Sequence, residues 1–149
     1  MRGVVQRVKR ASVSVDNKVI GEISDGILLL LGVDETDEEK DLEYMCDKVP
    51  NLRIFEDENG KMNKSLMDVN GSLLVISQFT LLGDARKGRR PSFIEAARPE
   101  KAIPMYENFI KNMKEKAINT QCGEFGADMQ VELVNDGPVT ILLDSRKLF

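Results

Sequence analysis

The chain has 149 residues, and its 21 Lys plus Arg against 25 Asp plus Glu leave a net charge of −4. That length, with 42% apolar and 31% charged residues, describes one ordinary globular domain able to bury roughly 70% of its unfolded surface, and the overall charge advertises no polyanion partner. The absence of any His excludes Ser-His-Asp and Cys-His catalysis, imidazole relays and His-ligated zinc, and two cysteines alone cannot build a thiolate cage, so no metal or cofactor is expected.

The chain opens Met1-Arg2-Gly3-Val4-Val5-Gln6-Arg7, with no hydrophobic region of a signal peptide, and its longest apolar run, Ile27 to Leu31, is far too short to span a bilayer. A cytoplasmic protein is expected. Val4, Val5 and Val8 interleaved with Gln6, Arg7 and Lys9 predict a strand over 2–9. The apolar parity then changes from Val4 and Val8 to Val13 and Val15, which predicts a bulge or bend near Arg10 to Ser12. Asp16-Asn17 reads as a turn and Lys18 to Ile23 as a return strand. Gly26 opens the run Ile27-Leu28-Leu29-Leu30-Leu31-Gly32-Val33, the pattern of a central strand covered on both faces.

Thr36 and Glu39 have capping-box spacing, and Leu42, Met45, Cys46 and Val49 recur at helical period, so a helix is predicted up to Pro50, with Cys46 in the core as an inert thiol. Leu52 to Phe55 reads as a short strand, Asp57-Glu58-Asn59-Gly60 as a turn, and 61–70 is left unassigned. Ser72 to Phe79 predicts a second buried strand, and 83–93 a loop. A second helix is expected between about Pro99 and Ala117, with Ala102, Tyr106, Phe109, Met113 and Ala117 on one face. Pro104 requires that it begin near Ile103 or kink. Met129, Val131 and Leu133 mark a strand that Asn135-Asp136-Gly137-Pro138 turns into a final one, Val139 to Leu143. The order predicts a single α+β domain with two main helices and a mixed or largely antiparallel sheet curled towards a barrel. No G-x-G-x-x-G or Walker sequence supports a nucleotide fold.

Three segments are candidates for chemistry. Asp-Gly in Asn135-Asp136-Gly137-Pro138-Val139-Thr140 suits a hairpin turn, yet Pro138 removes an N–H that a paired strand would use. A cis Gly137-Pro138 bond, which Pro permits, would aim two successive carbonyls one way, where an ammonium can receive them. Ser77-Gln78-Phe79-Thr80-Leu81 is either a strand end meeting solvent or a strand exit that offers hydroxyl, amide and free backbone N–H groups to an oxyanion. Arg86-Lys87-Gly88-Arg89-Arg90 places four cations in five residues, either a solvated charge run or a local contact for nucleic acid.

Ser77-Gln78-Phe79-Thr80-Leu81, followed about 55 residues later by Asn135-Asp136-Gly137-Pro138-Val139-Thr140, with Phe125-Gly126-Ala127-Asp128-Met129 just before the latter, resembles the signatures of the D-aminoacyl-tRNA deacylase (D-Tyr-tRNA deacylase) family. The resemblance runs over the whole chain, 1–149. It implies a homodimer that binds aminoacyl-tRNA and removes D-amino acids, and also glycine, from it by ester hydrolysis, a chiral proofreading step in translation. It implies an active site at the subunit interface, lined by Ser77, Gln78, Phe79 and Thr80 and entered by a cis Gly137-Pro138 from the neighbouring subunit. Carbonyls of that dipeptide would hold the substrate amine, and its backbone would collide with an L side chain. Arg7 and Asn135 would support it, and Phe125 and Met129 would surround the terminal adenosine.

Without His, two routes remain. Thr80 Oγ attacks, with no evident neighbouring base, or water attacks while the Phe79 and Thr80 N–H groups hold the oxyanion and the tRNA 2′-OH positions the water. The second is favoured. Two other classes compete: a non-catalytic RNA-binding or assembly module with the same fold, and an amidase acting on free D-amino acid derivatives.

Overall fold

In the structure, a computed structural model that describes residues 1–149, the elements follow one another as β1 (Arg2–Val15), β2 (Lys18–Ile23), β3 (Gly26–Gly32), α1 (Glu39–Asn51), β4 (Phe55–Glu56), β5 (Met62–Lys64), β6 (Ser72–Ser77), a 3-10 turn (Phe79–Leu82), α2 (Pro99–Glu115), β7 (Thr120–Cys122) and β8 (Gln130–Asp144). β1 is the spine. One of its edges pairs antiparallel with β3 through Arg2↔Gly32 to Val8↔Gly26 and then with β2 through Ala11↔Ile23 to Val15↔Lys18. The two stretches share one register up to Val13↔Gly21, with a one-residue slip only beyond it, so β2 and β3 are a single return strand interrupted at Ser24-Asp25. Beyond β3 the sheet continues with β6 and β7, both parallel, which makes it mixed. β2 curls back towards β7: a Cβ placed on Gly21 would lie 3.1 Å from the Cys122 carbonyl oxygen, and the sheet is nearly closed into a barrel.

The parity change in β1 is real but falls slightly earlier than Arg10 to Ser12. Its register against β8 slips between Val8 and Arg10, where Lys9 and Arg10 are exposed. Val5 therefore enters one core cluster and Val8, Ala11 and Val13 the other. β3 and β6 serve both: Leu29, Leu31, Leu73 and Val75 face the helices, whereas Leu28, Leu74 and Ile76 fill the barrel interior. This two-sided burial is why both strands read as unbroken apolar runs. Phe109 and Met113 of α2 and Met45 and Val49 of α1 complete the first cluster. Phe109 is fully buried, and its truncation to Ala would cost about 3–5 kcal/mol.

Several boundaries differ from the sequence reading, each for a local reason. Thr36 does not cap α1, because its hydroxyl and N–H both bond the Asp34 carboxylate and Arg146 donates to the hydroxyl. The reciprocal cap lies two residues on, where the Asp41 carboxylate accepts from the Glu38 N–H at 2.8 Å. α1 passes Pro50 by one residue, since a proline in the last turn removes only one donor. The strand expected over Leu52 to Phe55 is Phe55–Glu56, which pairs with β5 around an Asp57 carboxylate that accepts from the Asn59 and Lys61 N–H groups. α2 begins at Pro99 rather than near Ile103 and continues through Pro104, whose ring faces solvent. Ala117 is not on its apolar face: it follows the helix at φ 61°, exposed, and Ile118 takes the buried place.

The largest correction concerns the end of the chain. Asn135-Asp136-Gly137-Pro138 does not reverse it. β8 is one strand that pairs with β1 on both sides of this segment, from Ser14↔Gln130 to Val8↔Asn135 and again from Gln6↔Thr140 to Arg2↔Asp144. Residues 136–139 all lie opposite Arg7 alone and protrude as a wide bulge. A hairpin would have left β1 with no partner along half of this edge.

Candidate active site

The strand exit after β6 is built by close packing. Ser77 is the last residue of β6, Gln78 continues the parallel pairing by donating its N–H to the Leu31 carbonyl at 2.9 Å, and the chain then tightens into the 3-10 turn. Gly32 permits this approach: a Cβ there would lie 2.7 Å from Leu82 Cδ2 and 2.9 Å from the Gln78 carbonyl oxygen. Arg2 ties the turn down from β1, its Nη1 donating to the Leu81 carbonyl and its Nε to the Asp144 carboxylate, both at 3.1 Å. Phe79 and Thr80 open the turn, so their N–H groups have no acceptor within it. The Thr80 hydroxyl is bonded to the Gln78 carboxamide, which is not a base.

Residues distant in sequence close over this exit. Phe125, Ala127 and Met129, on the segment between β7 and β8, meet Ser77, Gln78 and Phe79 around a cavity of about 290 Å³. None of the side chains lining it is ionisable. Phe125 leans on Tyr106 of α2 (centroids 6.1 Å apart), and Tyr106 is itself fixed by donating its hydroxyl to the Val75 carbonyl at 2.9 Å. Burial raises the Tyr106 pKa, so the phenol stays protonated and anchors without titrating.

The bulge is held from two sides. Arg7, buried in β1, donates Nη1 to the Ile54 carbonyl at 2.7 Å and Nε to the Asp136 carbonyl at 3.1 Å. Asn135 closes its base, accepting from the Val139 N–H and donating to the Thr140 hydroxyl, both at 3.0 Å. At its tip Gly137-Pro138 is cis, exposed to solvent, with Gly137 at φ 128°. A Cβ on Gly137 would lie 2.8 Å from Val139 Cγ2 and 3.1 Å from Arg7 Nη2, so only glycine fits.

The structure thus brings Ser77, Gln78, Phe79, Phe125 and Met129 together, with Thr80 alongside, and brings Arg7 and Asn135 to Gly137-Pro138. It does not bring these two groups together within one chain. The bulge sits at the level of Arg7↔Ile27↔Leu73 and the turn follows Ser77. Four residues along β6 and three strands across separate them, on the order of 20 Å.

Of the cationic run, Arg86 is neutralised by Asp84 at 2.7 Å, and this hydrogen-bonded guanidinium holds the Asp84 carboxyl well below the usual range. Lys87, Arg89 and Arg90 remain exposed. Sequence reasoning missed Phe93, which packs edge-on against Phe79 with centroids 5.2 Å apart. Its only signal was the apolar pair Phe93-Ile94 in an otherwise polar loop. Arg2 and Tyr106 were missed as supports, because their partners are backbone carbonyls on remote strands.

The class that fold and site define also emerges from comparison. The family model of D-Tyr-tRNA(Tyr) deacylase matches residues 4–144. A D-aminoacyl-tRNA deacylase of Clostridium kluyveri is 62% identical over 149 residues, covering 100% of both chains. Among solved structures, one described as c-Myc DNA Unwinding Element Binding Protein aligns with a TM-score of 0.91 and 45% identity, covering 97% of this chain and 98% of its own. Another, a probable eukaryotic D-amino acid tRNA deacylase, aligns at 0.81 with 15% identity, covering 95% and 97%, and shares the fold. The chain belongs to the D-Tyr-tRNA(Tyr) deacylase family. It is an ester hydrolase of the D-aminoacyl-tRNA deacylase type.

Proposed function

We propose that residues 1–149 act as one deacylase domain in a cytoplasmic homodimer that binds tRNA, hydrolyses glycyl-tRNA as well as D-aminoacyl-tRNA, and rejects L substrates through a Gly-cisPro motif borrowed from the partner. The observation that carries this reading is the separation of the two motifs. A rigid, exposed Gly137-Pro138 that stands on the order of 20 Å from its own Ser77-Gln78-Phe79-Thr80 turn can complete such a pocket only in a second copy. No helix is long and apolar enough to cross a membrane.

In this mechanism the terminal adenosine lies between Phe125 and Met129, and the ester carbonyl meets the N–H groups of Phe79 and Thr80. Water attacks the carbonyl carbon, the two N–H groups hold the oxyanion, and the ester C–O bond breaks as the tRNA 3′ oxygen takes up a proton. The tRNA 2′-OH positions the water. Thr80 Oγ is not the nucleophile, since its partner is an amide and no carboxylate or amine accepts its proton. The partner's dipeptide backbone fills the space an L side chain needs, whereas a D side chain points outward and glycine has none.

Ester loss from D-Tyr-, L-Tyr- and Gly-tRNA tests this. The D and glycyl esters are expected to be cleaved and the L ester to survive, with no turnover of free D-amino acid amides. Resistance of Gly-tRNA would refute the steric account, and inertness towards all three would leave a binding module. Thr80→Ala is expected to stay within about tenfold of the parent rate. An isolable acyl-Thr80 adduct would reverse the choice of nucleophile.

A further inference from the structure

Beside the 290 Å³ cavity lies a second and larger hollow, about 680 Å³, that shares Phe79, Phe125 and Gly126 with it. Its other walls are Phe93, Ile94, Ala97 and Arg98, from the loop and the start of α2. Apolar side chains here are displayed to solvent: Phe79 is 56%, Phe93 38% and Ile94 86% exposed. The loop that displays them is firmly pinned. Asp84 and Ser92 exchange backbone hydrogen bonds at 2.8 and 2.9 Å, Glu35 donates its N–H to the Glu95 carbonyl at 2.8 Å, and Ala97 donates to the Val33 carbonyl at 2.9 Å. In a chain of net charge −4, residues 83–101 hold six cations against three carboxylates. The one carboxylate lining the hollow, Glu35, accepts from the Arg98 N–H at 3.2 Å.

We propose that this trough receives the unpaired nucleotides immediately 5′ of the terminal adenosine, with bases against Phe93 and Ile94 and phosphates facing Arg98, while the exposed Arg89 and Arg90 of the same loop add positive charge. The inference rests on the reading that the smaller cavity takes the adenosine. Exposed aromatic faces flanked by cations are the equipment for holding single-stranded nucleic acid without reading its sequence, and continuity with the cavity gives the strand its direction. A second copy of the chain is the other occupant an apolar hollow suggests. The surplus of cations along 83–101 favours a phosphate backbone instead.

The experiment compares two substrates, D-Tyr-tRNA and the 3′-D-tyrosyl ester of adenosine, which lacks the preceding nucleotides. Ile94→Ser and Arg98→Gln, which lie outside the turn, are measured beside Phe93→Ala. For each, kcat/KM on tRNA divided by kcat/KM on the short ester is expected to fall roughly five- to tenfold, mostly through KM. Binding of a fluorescent single-stranded RNA ending in CCA should weaken in parallel and grow less salt-sensitive in Arg98→Gln. An unchanged ratio in all three variants would overturn the proposal, as would variants that become monomeric at concentrations where the parent is dimeric. Failure of the parent protein to cleave the short ester while it cleaves tRNA would instead count against the adenosine reading of the smaller cavity.

Discussion

Arg7→Met tests whether the anchored bulge, rather than the pocket, senses handedness. Met keeps the buried unbranched stem and removes every donor. Two hydrogen bonds from a charged guanidinium are lost, one to Asp136 and one to Ile54. Such bonds contribute about 1.5–3 kcal/mol each, but the two sites recover differently. Asp136 is partly exposed and can take water, whereas the Ile54 carbonyl sits in a buried contact and is left without a donor. The sum is a loss of about 3 kcal/mol, equivalent to a Tm lower by about 6–12 °C in a chain of this size. The bulge lies outside the β1–β8 ladder, so the fold survives while Gly137-Pro138 loses its fixed position. Initial rates on D-Tyr- and L-Tyr-tRNA, measured well below the lowered Tm, should show the D-to-L ratio falling at least about tenfold. A reduced Tm with the parent ratio intact would refute the reasoning, because handedness would then be read elsewhere.

Gly137→Ala presses a Cβ against Val139 and Arg7 at a φ of 128° and should strain the bulge by about 1–3 kcal/mol. Deacylation is expected to drop far more than Tm, and equal losses would point to a structural role alone. Alkaline stability follows from Cys46, whose thiol burial pushes up from 9.0 to about 11, and from Tyr106, also raised by burial. Between those two values the unfolded thiol has lost its proton and the folded one has kept it. Stability is therefore complete below about pH 9 and falls as pH rises towards 11. Urea midpoints over that range should show the decline, and Cys46→Ala should make it shallower; an identical slope in the variant would exclude the thiol as its source.

Much of the fold was legible from pattern alone. The continuous apolar runs of β3 and β6 announced two-sided burial, the helical stripes of α1 and α2 were plain, and the parity change in β1 located a bulge within a few residues. Local signals failed where a distant partner took over. Thr36 had the right spacing for a cap but was claimed by Asp34 and Arg146 from the end of the chain. Pro104 lies on the exposed side of α2 near its start, where the Glu100 carbonyl that it leaves without a donor can take water. The motifs Ser77-Gln78-Phe79-Thr80 and Phe125 to Met129 were visible as strings, yet only the curl of the barrel joins them around one cavity.

Composition by itself narrowed the chemistry available: with no imidazole in the chain, no histidine-based triad, relay or zinc site can operate. Side-chain identity is local information and survives in a string of letters. Whether Asn135-Asp136-Gly137-Pro138 reverses the chain or bulges from an unbroken strand is not local, because both outcomes satisfy the same dihedral preferences. Tertiary structure decided it, through β1, whose length gives β8 hydrogen-bond partners on either side of the bulge and whose Arg7 fills the gap between them.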